Sequence, residues 1–82
     1  MIEITVKLFA VVRDLAGTDT IAVRVPIAAQ ASSVLDLVIE RYPQLEKWKH
    51  HLRIAVNCEY VTLHQHLQNG DEVALIPPVS GG

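Results

Sequence analysis

The chain has 82 residues and a formal net charge of −2, half of its residues are hydrophobic, only 5% are aromatic, and the charged 20% are interspersed along it. That length holds one small domain with a single aliphatic core and excludes a second, and the scattered Lys and Arg exclude the basic stripe that a phosphate backbone requires, so no nucleic-acid partner is expected. The lone cysteine, Cys58, cannot close an internal disulfide, no leader of charged and apolar segments precedes the first strand, and no apolar run approaches the roughly 20 residues of a membrane span, which together predict a soluble protein of the reducing cytoplasm with no membrane contact.

Ile2, Ile4, Val6 and Leu8 alternate with Glu3, Thr5, Lys7 and Phe9, the period of a half-buried strand. Residues Ala10 to Ala16 form a short helical turn, Gly17-Thr18-Asp19 supplies turn chemistry, and Ile21 to Val25 is a second strand stopped by Pro26. Ser33 followed by Asp36 fits a capping box for the one substantial helix, which carries Val34, Leu35, Val38, Ile39 and Tyr42 inward and ends at Pro43. Arg53 to Asn57 and Tyr60 to Leu63 are strand candidates, Asn69-Gly70-Asp71 is a turn, and Glu72 to Ile76 is the last strand. The order β-β-α-β-β-β predicts an α+β protein, a mixed sheet crossed by one helix in the manner of the ubiquitin-type β-grasp. Its domain is expected over residues 1–76 and an extended tail over 77–82.

Pro77 and Pro78 lack a backbone N–H and fix φ, so they close the last strand and favour an extended path for the residues beyond them. From Pro77 to Gly82 such a path reaches at most about 20 Å, enough to enter a partner's active site. Gly81 and Gly82 have no Cβ to clash with a narrow channel. A disordered tail with no role is the plain alternative. Phe9 shares strand parity with Glu3, Thr5 and Lys7, and Ile76 with Glu72, placing both on the polar face of the sheet. If the first and last strands are neighbours, Phe9 and Ile76, joined by Tyr60, make an apolar patch near the tail; residual packing at strand ends is the alternative.

The remaining candidates are weaker. His64 and His66 share a face if extended, and His50-His51 adjoin, but no cysteine or carboxylate completes a ligand set, so no metal site is expected. Cys58 is expected to serve as a small apolar residue, and Asp36, Glu40, Glu46, Lys47 and Lys49 as solvated faces. Lacking a catalytic constellation, the domain is no enzyme by itself and depends on a partner's active site.

Phe9-Ala10 with Arg13 and Gly17, Tyr42-Pro43-Gln44-Leu45, Ala55-Val56-Asn57 and the block from Asn69 to Gly82 together resemble the small, sulfur-carrying subunits of molybdopterin synthase, over essentially the whole chain. Gly-Gly alone is shared with ubiquitin-like modifiers and with sulfur carriers of thiamin or tRNA pathways; the run Pro77-Pro78-Val79-Ser80-Gly81-Gly82 after Gly70-Asp71-Glu72-Val73 is more specific. The resemblance implies that a partner related to ubiquitin-activating enzymes adenylates the Gly82 carboxyl with ATP, and that a sulfur donor protein converts it to a thiocarboxylate. It implies delivery of that sulfur in the large synthase subunit, within a heterotetramer of two small and two large chains, to cyclic pyranopterin monophosphate. The carrier itself binds no cofactor. The resemblance makes Gly82 the reactive terminus and Gly81 its companion, and Phe9, Tyr60 and Ile76 the docking surface with Arg13 at its margin, while Pro77, Pro78, Val79 and Ser80 form the inserted arm.

Overall fold

The computed structural model describes residues 1–78. Five strands form one mixed sheet: β1 (Ile2–Leu8), β2 (Thr20–Val25), β3 (Arg53–Val56), β4 (Glu59–Val61) and β5 (Glu72–Ile76). Their order across the sheet is β2-β1-β5-β3-β4. β1 runs antiparallel to β2, with Ile2 opposite Val25 and Lys7 opposite Thr20. It runs parallel to β5, with Thr5 opposite Glu72 and Leu8 opposite Leu75. β3 is antiparallel to both β5 and β4. Alternation decides which face is which. Ile4, Val6, Leu8, Ile21, Val23, Val25, Ile54, Val73 and Leu75 are buried against the helices, while the intervening residues form an outer face.

Between β1 and β2 lies α1 (Ala10–Ala16), which sends Val12 into the core. It ends at Gly17, whose φ of 76° is the left-handed conformation a helix terminus favours and whose N–H bonds to the Arg13 carbonyl. The main helix α2 (Ala31–Arg41) buries Ala31, Val34, Leu35, Val38 and Ile39, an apolar stripe at helical spacing. Its start corrects the expected capping box. The N-cap is Gln30, without a side-chain cap, so Ser33 lies inside the first turn. Loop carbonyls take over the exposed donors: Ala31 N–H reaches Gln65 O at 2.8 Å and Ser32 N–H reaches Leu63 O at 3.0 Å. Asp36 instead pairs with Lys49 Nζ at 3.1 Å.

Pro43 does end α2, and a 3-10 segment, Pro43–His51, comes after it, an element with no counterpart in the order expected from sequence. Leu45 and Trp48 stand three residues apart in it, so they share one face at three residues per turn. Leu45 is fully buried and Trp48 packs partly against the core. β4 is also shorter than expected, covering Glu59–Val61. The turn joining it to β3 consists of Asn57 and Cys58, with φ of 50° and 72°, the paired positive φ of a type I′ hairpin. Cys58 is therefore exposed rather than packed as a small apolar residue.

Asn57 ties that turn to the entry of β5. Its Nδ2 donates to Asp71 Oδ1 at 3.0 Å, and its Oδ1 accepts from the Glu72 N–H at 3.0 Å. Asp71 Oδ2 accepts from Gln68 N–H at 2.8 Å, and Asn69 Oδ1 accepts from Glu3 N–H at 2.8 Å. These side chains replace backbone partners that an isolated turn would leave to water.

Candidate functional site

The opposite end of β5 lacks such a network. Because Leu8 faces Leu75 in a parallel pair, the next residues along, Phe9 and Ile76, emerge together at the end of the sheet. Phe9 caps α1 with extended backbone, φ −128° and ψ 153°, so strand parity still governs it although it lies one residue beyond β1. The chain then turns through Ala10 at φ 52°, a left-handed conformation uncommon outside glycine, which sets α1 across the strand end.

The result is a groove of about 540 Å³ between α1, the 3-10 segment and the end of β5. Phe9, Ala10 and Val11 form one wall, Ile76, Pro77 and Pro78 another, and Trp48 closes it. Phe9 is 46% exposed and Ile76 half-buried, an arrangement that leaves apolar surface unpaired beside the exit of the chain. Pro77 is buried and Pro78 exposed, so the polypeptide reaches the surface at Pro78. Val79, Ser80, Gly81 and Gly82 lie outside the described residues.

Tyr60 and Arg13 are placed differently. Tyr60, on β4, shares the outer face but not the groove; it is 62% exposed and lines a neighbouring cleft with Arg53 and Leu63. Between the two stands Arg53, opposite Ile76 in the register, with its guanidinium 4.6 Å from the centre of the Tyr60 ring. That distance is a cation–π contact, and it makes Arg53 a bridge from groove to tyrosine. Arg13 lies on the far side of Phe9, lining a polar depression with Lys7 and Glu72, and contacts Asp14 at 3.7 Å.

Sequence reasoning missed Arg53 and Trp48. Arg53 could have been found by extending the outer-face parity of Ile76 across one strand pair. Trp48 could have been found from its i, i+3 spacing to Leu45. The Trp48 Nε1–H is buried, and among the described residues nothing accepts its hydrogen bond, although buried donors are nearly always paired.

The histidines do not converge. His66 Nδ1 lies 3.0 Å from the Ala28 carbonyl, His50 and His51 end the 3-10 segment, and no group of three potential metal ligands occurs among the described residues. No helix among them is long and apolar enough to cross a membrane.

Comparison with known proteins adds a family and a fold. Residues 6–82 match the ThiS family. The molybdopterin synthase sulfur carrier subunit of Arabidopsis thaliana is 37% identical over 81 residues, covering 99% of this chain and 84% of that one. The crystal structure of H. volcanii small archaeal modifier protein 1 superposes with a TM-score of 0.89 at 31% identity, covering 96% of this chain and 100% of that one. A ubiquitin of Caldiarchaeum subterraneum shares the fold at 16% identity, with a TM-score of 0.66 over 99% of this chain and 98% of that one. The sheet and its crossing helix are thus a ubiquitin-like β-grasp.

Proposed function

The chain belongs to the ThiS family, and from that premise we propose that it is the sulfur carrier of molybdopterin synthase, with the carboxyl of Gly82 as the reacting group. The observation that carries this reading is likeness over 99% of the chain to a protein named as that carrier. The apolar groove at the root of residues 79–82 supports it, since a carrier needs a docking face beside its reactive end.

The chemistry starts from the carboxylate. An ionised carboxylate has no leaving group that sulfur can displace. An adenylating partner of the ubiquitin-activating type joins it to AMP from ATP, releasing pyrophosphate. Sulfur carried as a persulfide on a donor protein then displaces AMP, and a second thiol cleaves the resulting acyl disulfide, leaving a thiocarboxylate on Gly82 and the donor in a disulfide. A thioacid ionises more readily than an alkyl thiol, so this sulfur is a nucleophile at neutral pH without a neighbouring base. In the active site of the large subunit it attacks a side-chain carbon of cyclic pyranopterin monophosphate, whose oxygen substituent leaves, and hydrolysis of the acyl carbon–sulfur bond keeps the sulfur on the pterin and returns the carboxylate. The dithiolene holds two sulfurs, so each product consumes two loaded carriers, consistent with an assembly of two small and two large chains.

In this account Gly81 and Gly82 pass the narrow entrance because they lack side chains, with Val79 and Ser80 behind them. Phe9 and Ile76 hold the body against the partner. Tyr60 and Arg13 extend that contact on either side.

A second reading is favoured by the likeness to the small archaeal modifier protein: Gly82 forms an isopeptide bond with a target lysine. Accurate-mass analysis of the C-terminal fragment, after incubation with the adenylating partner, ATP and a sulfur source, separates the two. The carrier reading predicts one oxygen exchanged for sulfur at Gly82. An unmodified terminus beside lysine-linked conjugates would overturn it.

A further inference from the structure

We propose that Asn69 is a latent deamidation site, closed in the native fold because the backbone of Glu3 holds both reacting groups of the Asn69-Gly70 pair, and opened when β1 parts from the turn that leads into β5. The carrier role makes no use of this end of the sheet, so the inference stands apart from it.

The reaction needs only water. The backbone nitrogen of Gly70 loses its proton and attacks Cγ of Asn69, ammonia leaves, and a succinimide closes. Water then opens the ring at either carbonyl, giving aspartate or isoaspartate at position 69. Of the two asparagines in the chain, Asn57 is followed by Cys58 and Asn69 by Gly70. The Cβ of Cys58 crowds the attacking nitrogen, whereas glycine has none. Asn69 and Gly70 are both exposed, so burial does not keep water from them.

Geometry supplies the protection instead. The Gly70 N–H donates to Glu3 O at 2.9 Å, so the nitrogen must give up that bond before it can ionise. The Glu3 N–H donates to Asn69 Oδ1 at 2.8 Å, which turns the carboxamide toward β1. That second bond also polarises Cγ, but polarisation without approach forms no ring. The turn keeps the two atoms apart. Asp71 N–H closes it on Gln68 O at 3.1 Å, with Gly70 at φ 87° in the third position, the signature of a type II turn. Such a turn gives its second residue, here Asn69, a ψ of about +120°, which leaves the next nitrogen about 120° from eclipsing Cβ, where a five-membered ring needs it. Asp71, the carboxylate nearest in sequence, has both oxygens engaged, by Asn57 Nδ2 and by the Gln68 N–H.

The protection therefore hangs on one residue of β1. Glu3 spends its N–H and C=O on positions 69 and 70 and neither on β2, so the clamp can open while β1 and β2 remain paired. Once formed, isoaspartate lengthens the main chain between positions 69 and 70. Either product also adds a negative charge close to Glu3, Asp71 and Glu72, which opposes closing. The lesion thus records the opening that allowed it.

The test incubates the full chain across a urea series and follows deamidation at position 69 by accurate-mass peptide mapping, alongside hydrogen exchange of the Glu3 and Gly70 amides. The native chain should deamidate at least about tenfold more slowly than the unfolded one, with the rate rising in step with exchange of those two amides. In the unfolded chain Asn57 should lag behind Asn69. A native chain that deamidates at position 69 as fast as the unfolded one overturns the proposal, and so does a rate that climbs while both amides stay protected. Glu3→Pro removes the N–H that holds Asn69 without removing a bond to β2. It should speed deamidation about threefold or more while the other sheet amides keep their native signals. An unchanged rate in the folded variant overturns the proposal; if the variant unfolds, the urea series on the parent chain decides.

Discussion

The two ends of β5 are built on opposite principles. At its entry Asn57, Asp71 and Asn69 use their polar side-chain atoms on neighbouring backbone and on each other. At its exit Ile76 and Pro77 run into an apolar groove, and the buried Nε1 of Trp48, which lines it, has no partner among the described residues. Both ends belong to one strand of five residues. A saturated end serves the fold, whereas in the proposed carrier role the unsaturated end is the one that keeps its bonding capacity for a docking partner. The contrast explains why two sequence blocks that look equally specific, Asn69-Gly70-Asp71 and Ile76-Pro77-Pro78, do different work.

The sharpest way to test that division is to remove Gly82. Loading with sulfur should be abolished altogether, while urea unfolding of the truncated chain matches the parent; equal loading of the two proteins would end the carrier account. Leu45→Ala comes next. Leu45 is the fully buried residue of the 3-10 segment, so its truncation should cost about 2–5 kcal/mol by denaturant titration, and a negligible loss would mean that this segment is not part of the core. Asn57→Ala attacks the saturated end, removing two side-chain hydrogen bonds at a residue with φ 50°. A loss of about 1–2 kcal/mol in stability is expected, with the large-subunit affinity of the folded protein unchanged. Phe9→Ala attacks the unsaturated end and should show the reverse. Calorimetric titration with the large subunit should give about tenfold weaker binding, and unfolding free energy should move by less than about 0.5 kcal/mol. If Phe9→Ala melts the domain and Asn57→Ala weakens docking, the two ends have been assigned the wrong way round.

Much of this division is written in local pattern. The alternation of Ile2 to Leu8 and of Glu72 to Ile76 sets the strand faces, and parity alone puts Phe9 and Ile76 on the outer side, because Phe9 keeps an extended backbone even after β1 has ended. The hidden features depend on distant or weakly periodic partners. The start of α2 is capped by carbonyls of Leu63 and Gln65, about thirty residues away in the chain, so the nearby Ser33-Asp36 pair misleads. The 3-10 segment offers only Leu45 and Trp48 as apolar anchors, too sparse for a helical signal. In sequence Asn57 reads as the end of a strand; in the fold it lies one residue beyond β3, in the turn, and its side chain pins Asp71 and Glu72. The contact of Arg53 with Tyr60 crosses from β3 to β4, and no single-strand pattern exposes it.

The central claim is that this chain hands sulfur from Gly82 to the large subunit. It is tested most directly by mixing the purified thiocarboxylate form with large subunit and cyclic pyranopterin monophosphate, and tracking both the dithiolene product and the carrier mass. The account predicts one molybdopterin formed for every two carriers returned to the carboxylate. A thiocarboxylate that persists unchanged beside an active large subunit, or that is lost without product, would contradict it.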